Sequence, residues 1–435
     1  MTHLSRREFL TYGVGSLGAV AVAGTRSSSL TNLIARAPSA ASAKYSYDVW
    51  SFDATSDIKV FQQMVAAYNK TTSSPISFNI NFLASVAPAA YPTKIQSLFA
   101  TGKPPDMFMN WGGAYARPLI SAGYVKVLNS WYEKYNWTGH KLIPAAVDYI
   151  TFGGKQYGVP VNLLAMPIWY NKALFKKAGV TVPKTYAEWG SVNASLKKAG
   201  ITPAVEAVID GWDAMRLFES LLEMTAGPTL HDQLVNLTAS WDNPAVVEAF
   251  NELRQWGQSG WLEKDYVGTD PTAAGLLFTS GRAAQSVQGP WEVGTLQTAG
   301  SKLDDFDMFI PVGQTGPIRM AGFARQYQVG SQVTGARLDA LGDFFNWFVQ
   351  PAVSRKYFYD SGTASINGWP TTVPLANKSM QLTLSHKLYL VQDQALGFQV
   401  ADVFFAQQSS VLSGSTTPKA AAKAIQTAIA KSQKS

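Results

Sequence analysis

From Tyr45 to Asn110 the chain reads strand, helix, strand, helix, strand, and no other feature of the sequence restricts the fold as much. Tyr45–Phe52 (YSYDVWSF) alternates weakly between apolar and polar positions and predicts a first strand. Asp57–Tyr68 carries Ile58, Phe61, Met64, Val65 and Tyr68 at helical spacing. Ile76–Phe82 puts Ile76, Phe78, Ile80 and Phe82 on one face with a period of two, so a second strand follows. Thr93–Ala100 predicts a helix closed by Thr101-Gly102, and Asp106–Asn110 (DMFMN) a short buried strand running into Gly112-Gly113. Parallel neighbours need crossover helices, so this order implies a parallel, doubly wound sheet. Ligands of such sheets sit beyond the carboxyl ends of the strands. Here those ends are Trp50 to Asp53 and Asn110 to Gly113.

At 435 residues the chain exceeds the roughly 250–300 at which one core divides, so two lobes are expected. Hydrophobic residues at 46% and charged residues at 15% exclude a disordered or coiled-coil chain. No apolar run reaches the roughly 18 residues of a spanning helix. Cysteine is absent, which excludes disulfides, thiolate zinc sites, iron–sulfur clusters, a cysteine nucleophile and a lipoprotein cysteine. The formal charge is +7, but Arg6, Arg7, Arg26 and Arg36 stand against Glu8 alone in residues 1–43. What remains is too weak and too scattered for a nucleic-acid footprint.

Those first residues read as an address. Ser5–Leu10 (SRREFL) precedes a weakly apolar, glycine-rich stretch from Thr11 to Gly24, then a Ser/Ala/Pro-rich segment ending Ala41-Ser42-Ala43. A charged start, an apolar middle and an A-x-A-like end make a secretory signal. Arg6-Arg7 with Phe9-Leu10 resembles the twin-arginine export signal. Residues 1–43 are therefore expected to be signal and linker, an uncleaved anchor being the alternative, and the mature chain to act in the periplasm or at the outer face of the membrane. Gly13-x-Gly15-x-x-Gly18 matches the dinucleotide fingerprint, yet no strand precedes it and no acidic residue follows at the required distance. It belongs to the signal.

Further helices are expected over Tyr170–Ala178, Tyr186–Ala199, Asn243 to Trp256, Leu338–Phe348, Ala352–Tyr359 and Pro418–Ser432. There is no repeat and no long linker, so strands should cross between the lobes.

Several segments, in order, resemble the extracellular solute-binding proteins of sugar ABC transporters, the maltose-binding-protein-like family. Leu98–Phe108 (LFATGKPPDMF) is similar to its A-x-G-x-x-P-D-V stretch. Phe152–Ala178 (FGGKQYGVPVNLLAMPIWYNKALFKKA) resembles a G-K-x-Y-G-V-P turn, a crossing strand, then Y-N-K before a helix. Val182–Trp189 (VPKTYAEW) and Phe278–Trp291 (FTSGRAAQSVQGPW) match two later motifs. The resemblance implies an α/β, two-lobed periplasmic-binding-protein fold of the class II type, each lobe a mainly parallel sheet flanked by helices, with the ligand cleft between. The lobes would be residues 44–162 plus 326–366 and residues 163–325 plus 367–435. Hinges would lie near Asn162, Gln326 and Asn367. The implied partners are a sugar and the permease subunits of an ABC importer, with a monomeric protein, no cofactor and no metal.

The candidate ligand-binding residues follow from what a sugar needs. A flat indole offers the polarised C–H face of a sugar ring a large contact at little entropic cost, and carboxylates and amides serve the hydroxyls. Trp291, on the stiff Gly289-Pro290 turn, is the first candidate, and Trp111 with Asn110 at the end of a strand the second. Trp50 and Asp53 end the first strand, Asp210 and Trp212 lie in a turn before a helix, and Asn162, Gly322 and Phe323 lie on the crossing strands. Two departures leave the particular sugar open: Leu164 stands where the family has a cleft glutamate, and Trp111-Gly112-Gly113 replaces a carboxylate pair. A binding protein for a polyol, a glycerol phosphodiester or another polar solute is the alternative. From a different class, a secreted glycoside hydrolase would need two carboxylates about 5–10 Å apart, for which Asp53, Asp106, Asp210 and Glu292 are available. The four histidines are isolated, with no H-E-x-x-H and no phosphate loop in the chain, so other enzyme chemistry lacks a base.

Overall fold

The computed structural model of the chain describes residues 34–36, 43–51, 55–82, 90–137, 142–353 and 373–433. The Arg6-Arg7 signal, Asp53, the Asn367 hinge and most of the helix expected over Ala352–Tyr359 lie outside them. No helix among the described residues is long and apolar enough to cross a membrane.

The strand–helix alternation is observed. Strand β1 (Ile34–Arg36) is followed by β2 (Tyr45–Ser51), α1 (Thr55–Asn69), β3 (Ile76–Phe82), α2 (Ala90–Ala100) and β4 (Met107–Asn110). β2 runs parallel to β3 from Tyr45↔Ile76 to Ser51↔Phe82, and parallel to β4 at Val49↔Met107. β1, in the stretch read as signal and linker, adds an antiparallel edge against β3. The Asn69 side chain joins helix to strand: its Nδ2 donates to the Ile76 carbonyl at 2.7 Å and its Oδ1 accepts from the Ile76 N–H at 2.9 Å. Asp106 is structural, accepting from the Asp48 N–H at 3.0 Å and from Arg337 at 2.8 Å, which removes it from the hydrolase candidates.

Helices α3 (Gly113–Ser121), α4 (Asn129–Lys134) and α5 (Pro144–Asp148) follow, then the hairpin of β5 (Thr151–Phe152) and β6 (Lys155–Gln156). Its turn is Gly153-Gly154, with φ of 56° and 74°, as a two-residue hairpin requires. The chain then enters β7 (Val159–Ala165), β8 (Ile168–Asn171), α6 (Lys172–Ala178), α7 (Tyr186–Lys198), β9 (Thr202–Ala204), α8 (Trp212–Val235), α9 (Pro244–Gln258) and α10 (Pro271–Thr279). The PKT segment caps α7: Thr185 accepts from the Glu188 N–H at 3.3 Å while Glu188 accepts from the Lys184 N–H at 2.7 Å. Last come β10 (Ala283–Val287), α11 (Glu292–Thr298), β11 (Phe306–Phe309), β12 (Met320–Val329), α12 (Gly335–Phe348), α13 (Pro374–Ser385), β13 (Leu388–Leu390), α14 (Gln392–Leu396), α15 (Phe398–Leu412) and α16 (Pro418–Ser432).

One sheet has the order β1-β3-β2-β4-β12-β13 with β7 on β12, and the other the order β11-β8-β10-β9. The sheets are mixed rather than mainly parallel, because β8 runs antiparallel to both of its neighbours and β12 antiparallel to β4 and β7. Two large cores lie against them. The first holds Phe78, Phe344, Phe345 and Phe348, all but inaccessible, with Phe78 and Phe344 rings 5.3 Å apart. Burying each such ring contributes roughly 1.5–3 kcal/mol. The second core gathers Phe218, Phe250, Trp241 and Trp256 between α8, α9 and α15.

β7 and β12 pass side by side from one core to the other. On β7, Leu163 belongs to the first core and Leu164 to the second; on β12, Ala324 belongs to the first and Ala321 to the second. Leu163 pairs with Ala324 and Leu164 with Phe323, and the register slips between Arg325 and Gln326. The crossover therefore lies on two paired strands.

Candidate functional site

β10 is followed by Gln288-Gly289-Pro290-Trp291, and the turn folds the indole back over its own glycine, where a Cβ would strike the ring. Trp291 is half-buried at the edge of the second core. Its Nε1 donates to Gln288 Oε1 at 3.1 Å, and the same oxygen accepts from Arg216 at 2.9 Å. The Arg216 guanidinium lies 5.0 Å from the Trp291 ring centroid and is ion-paired to Asp213. The indole is thus held by a cation–π contact and a hydrogen bond, and its orientation costs a ligand little entropy.

Asp213 and Arg216 come from the first turns of α8, spaced three residues apart so that they meet on one face. Gly211 has φ of 81° and presses on Phe405 of α15, where no side chain would fit. It launches the helix with Trp212 at its first turn. Asp210 Oδ1 and Trp212 Nε1 are buried there without a hydrogen-bond partner.

Arg216 is surrounded by acids. Burial, then repulsion from Asp213, pushes Asp210 up to about 6 and Glu292 up to about 8, with Arg216 pulling the other way. Burial raises Asp393 to about 6 and Glu206 and Glu219 well above the carboxylate range. Protonated carboxyls both donate and accept, which suits hydroxyl ligands. They also fix a pH dependence. The folded chain keeps the Glu292 proton that the unfolded chain releases near 4.5, so stability falls as pH rises toward 8. Burial lowers His231, which loses stability only below its ordinary 6.5, so the window above that isolates the acids. Between pH 6.5 and 8 thermal unfolding is expected to move downward with pH, Glu292 alone supplying a slope near 1.4 kcal/mol per pH unit. Glu292→Gln should flatten that slope and raise the melting temperature at pH 8; an unchanged slope would contradict it.

On the other side, β4 delivers Asn110 and Trp111. Asn110 Nδ2 donates to Gln328 at 2.9 Å, and its Oδ1 accepts from the Gly112 N–H at 3.1 Å. Trp111 is half-buried, edge-on to Tyr91 at 5.7 Å and 5.9 Å from the Tyr115 ring. Tyr115 on α3 donates to Asp393 on α14 at 3.2 Å. The Arg216 charge favours the ionised form of Asp393, against the burial that raises it.

The structure places Trp50 elsewhere. It is 8% exposed in the first core, its carbonyl accepting from Tyr91 at 2.9 Å and Lys94 lying 5.2 Å from its ring. Asn162 is buried on β7, its Oδ1 accepting from Arg325 at 3.3 Å. Gly322 is pinned between Leu388 and the Leu164 carbonyl, while Phe323 is half-buried against the second core. Asp213, Arg216, Gln288, Tyr115 and Asp393 were not among the sequence candidates. Gln288 directly precedes the G-P-W motif, and Asp213 and Arg216 share a helix face with Trp212, so local signals existed for these three. Tyr115 and Asp393 had none. Among the described residues no group of three or more His, Asp or Glu could hold a metal ion.

Comparison with known proteins agrees with this fold. An uncharacterized ABC transporter extracellular-binding protein of Pyrococcus horikoshii is 28% identical over 212 residues, 48% of this chain and 47% of its own. A probable sugar-binding periplasmic protein of Mesorhizobium japonicum is 26% identical over 220 residues, 50% of this chain and 48% of its own. The matches thus span about half the length of these relatives. Among solved structures, a chitin oligosaccharide binding protein superposes with a TM-score of 0.79 at 22% identity, covering 89% of this chain and 98% of its own. That agreement shows the two-lobed fold. The sequence profile of the bacterial extracellular solute-binding proteins matches residues 54–353, and the chain belongs to that family.

Proposed function

We propose that the protein is the exported substrate-binding subunit of an ABC importer, capturing a sugar between two lobes and delivering it unaltered to a membrane permease. The observation that carries this reading is the pair of half-buried indoles, Trp111 and Trp291, packed against different cores. The relatives' names, an extracellular-binding protein and a sugar-binding periplasmic protein, support it. The lobes would be residues 44–162 plus 326–366 and residues 163–325 plus 367–435, hinged on the paired strands β7 and β12 and at Asn367. The ligand-binding set would be Trp291, Trp111, Asn110, Asp210, Trp212, Asn162, Gly322, Phe323 and Asp53, Trp50 being buried in the first core. Residues 1–43 would direct export by the twin-arginine route, and the mature protein would work as a monomer.

Only a ligand that binds the closed arrangement better drives closure. A sugar touching both indoles has that property, because it gains its second contact only when the halves meet. Thermal unfolding against a panel of sugars and polyols tests the proposal. One or more sugars should raise the melting temperature saturably, by the equivalent of about 2.7 kcal/mol at a hundred times Kd. Flat curves for every sugar would refute it, and a response confined to polyols would move the ligand class.

A further inference from the structure

Helix α14 is only five residues long, yet all of them, Gln392 to Leu396, are buried. It belongs with the second core. Val391 and Leu396 at its ends lie there, and the Gln392 N–H donates to Glu219 and its side chain to His231, both on α8. It also meets α3, which belongs with the first core through Leu119. There the Tyr115 hydroxyl donates to Asp393 at 3.2 Å, both residues being buried. On the reading above that the two halves move, we propose that this contact is a latch between them, closed by Tyr115 on Asp393 and released when they swing about β7 and β12.

The Gly112-Gly113 turn is shaped for that contact. Gly112 has φ of 79°, and a Cβ there would come within 2.8 Å of the carbonyl of Tyr149, a residue packed on the first core. Gly113 has φ of 56°, and a Cβ there would come within 2.5 Å of the Gln394 carbonyl on α14. Gly397, directly after α14, has φ of 77° and would set a Cβ 3.3 Å from the Ala114 methyl. One glycine thus serves packing within the first half, and two serve the approach of α14. The glycines that replace a carboxylate pair in this chain therefore have a use of their own.

A latch must hold and also part. The contacts found at this seat are backbone against backbone, a methyl group and one hydroxyl–carboxyl bond, whereas each core is held by interlocked rings. Parting here gives up a hydrogen bond that water can replace, which is far less than opening a core. The Tyr115 ring packs 5.9 Å from Trp111, so the same hydroxyl ties the pose of that indole to the second half.

The test reads the distance between the halves. The chain has no cysteine, so Lys103→Cys ahead of β4 and Lys177→Cys on α6, both exposed, can carry nitroxide labels in the full chain for pulsed electron paramagnetic resonance. Tyr115→Phe keeps the ring and removes only the donor. Without sugar, it should put at least about threefold more of the distance distribution outside the parent's peak, while melting stays cooperative. Should Tyr115→Phe fail to fold, Ala114→Leu, a wedge against Gly397, is read by the same criterion. The responsive sugar from the panel above, added to the labelled parent, is the control for motion. A folded Tyr115→Phe with the parent's distribution, in a protein whose distribution the sugar moves, would overturn the latch and leave the moving halves intact. A distribution that neither the variant nor the sugar moves would overturn both.

Discussion

Trp291→Ala is expected to weaken binding of the responsive sugar by about 100-fold, while the variant keeps its fold. An indole face covering roughly 100 Å² of sugar contributes about 2.5 kcal/mol at 25 cal/mol per Å². That corresponds to a loss approaching two orders of magnitude. The fold should survive because the ring is only half-buried, and because Arg216 retains Asp213 and Gln288 when the indole is gone. Trp256 is the contrast. It is 1% exposed, packed edge-on to Trp189 at 4.7 Å and bonded to the Tyr186 hydroxyl, so Trp256→Ala should damage the fold itself. Titration and thermal unfolding of the two variants separate these roles. Unfolding of Trp291→Ala, or unchanged affinity, would place that ring outside the ligand's reach.

The largest effect on stability is expected at Arg319. Its Nε and Nη2 donate to the two Glu223 oxygens at 2.7 and 3.0 Å, its Nη1 to Asp232 at 2.8 Å, and its Nη2 to the Pro228 carbonyl at 3.0 Å. Glu223 is almost wholly buried, and His231 behind it lies 2.5 Å from the carboxylate. Burial alone would raise Glu223, but hydrogen bonds from His231 and Arg319 reverse that and hold it below its ordinary value. Burial holds His231 down, so the imidazole is neutral: Nδ1–H donates to Glu223 and Nε2 accepts from Gln392 at 2.6 Å. Arg319 therefore carries the charge that balances a buried carboxylate. Arg319→Met should cost about 3–5 kcal/mol, since it strands that anion. Glu223→Gln added to it should recover part of the loss, because a neutral amide needs no counter-ion. Denaturant melts would show both, and a wild-type midpoint for Arg319→Met would contradict the assignment.

Much of this was legible in the sequence for physical reasons that can be named. The alternation over Tyr45–Asn110 predicted β2, α1, β3, α2 and β4 because one face of β2 and β3 packs on the core while Ser46, Asp48 and Asn79 point away exposed. Capping residues bounded α7 and α9, where Thr185 and Asn243 each accept a helix N–H, whereas the helix expected from Tyr170 begins at Lys172, with Tyr170 and Asn171 on β8. Strand direction was not legible. β8 and β11 pair antiparallel although residues 172–305 separate them, and apolar pattern carries no sign of direction. Trp50 shows the limit at single residues. A tryptophan ending a strand can face ligand or core, and only the packing around it, which buries Trp50 in the first core, tells the two apart. Tyr115 and Asp393 meet across most of the chain, so nothing local marks them.

Determining the structure with the best-binding sugar soaked in or co-crystallised would test the central claim most directly. The account predicts one intact sugar with a ring against Trp291, another face toward Trp111, and hydrogen bonds from the carboxyl group that surrounds Arg216. A sugar bound away from both indoles, or a cleaved glycosidic bond in the density, would contradict it.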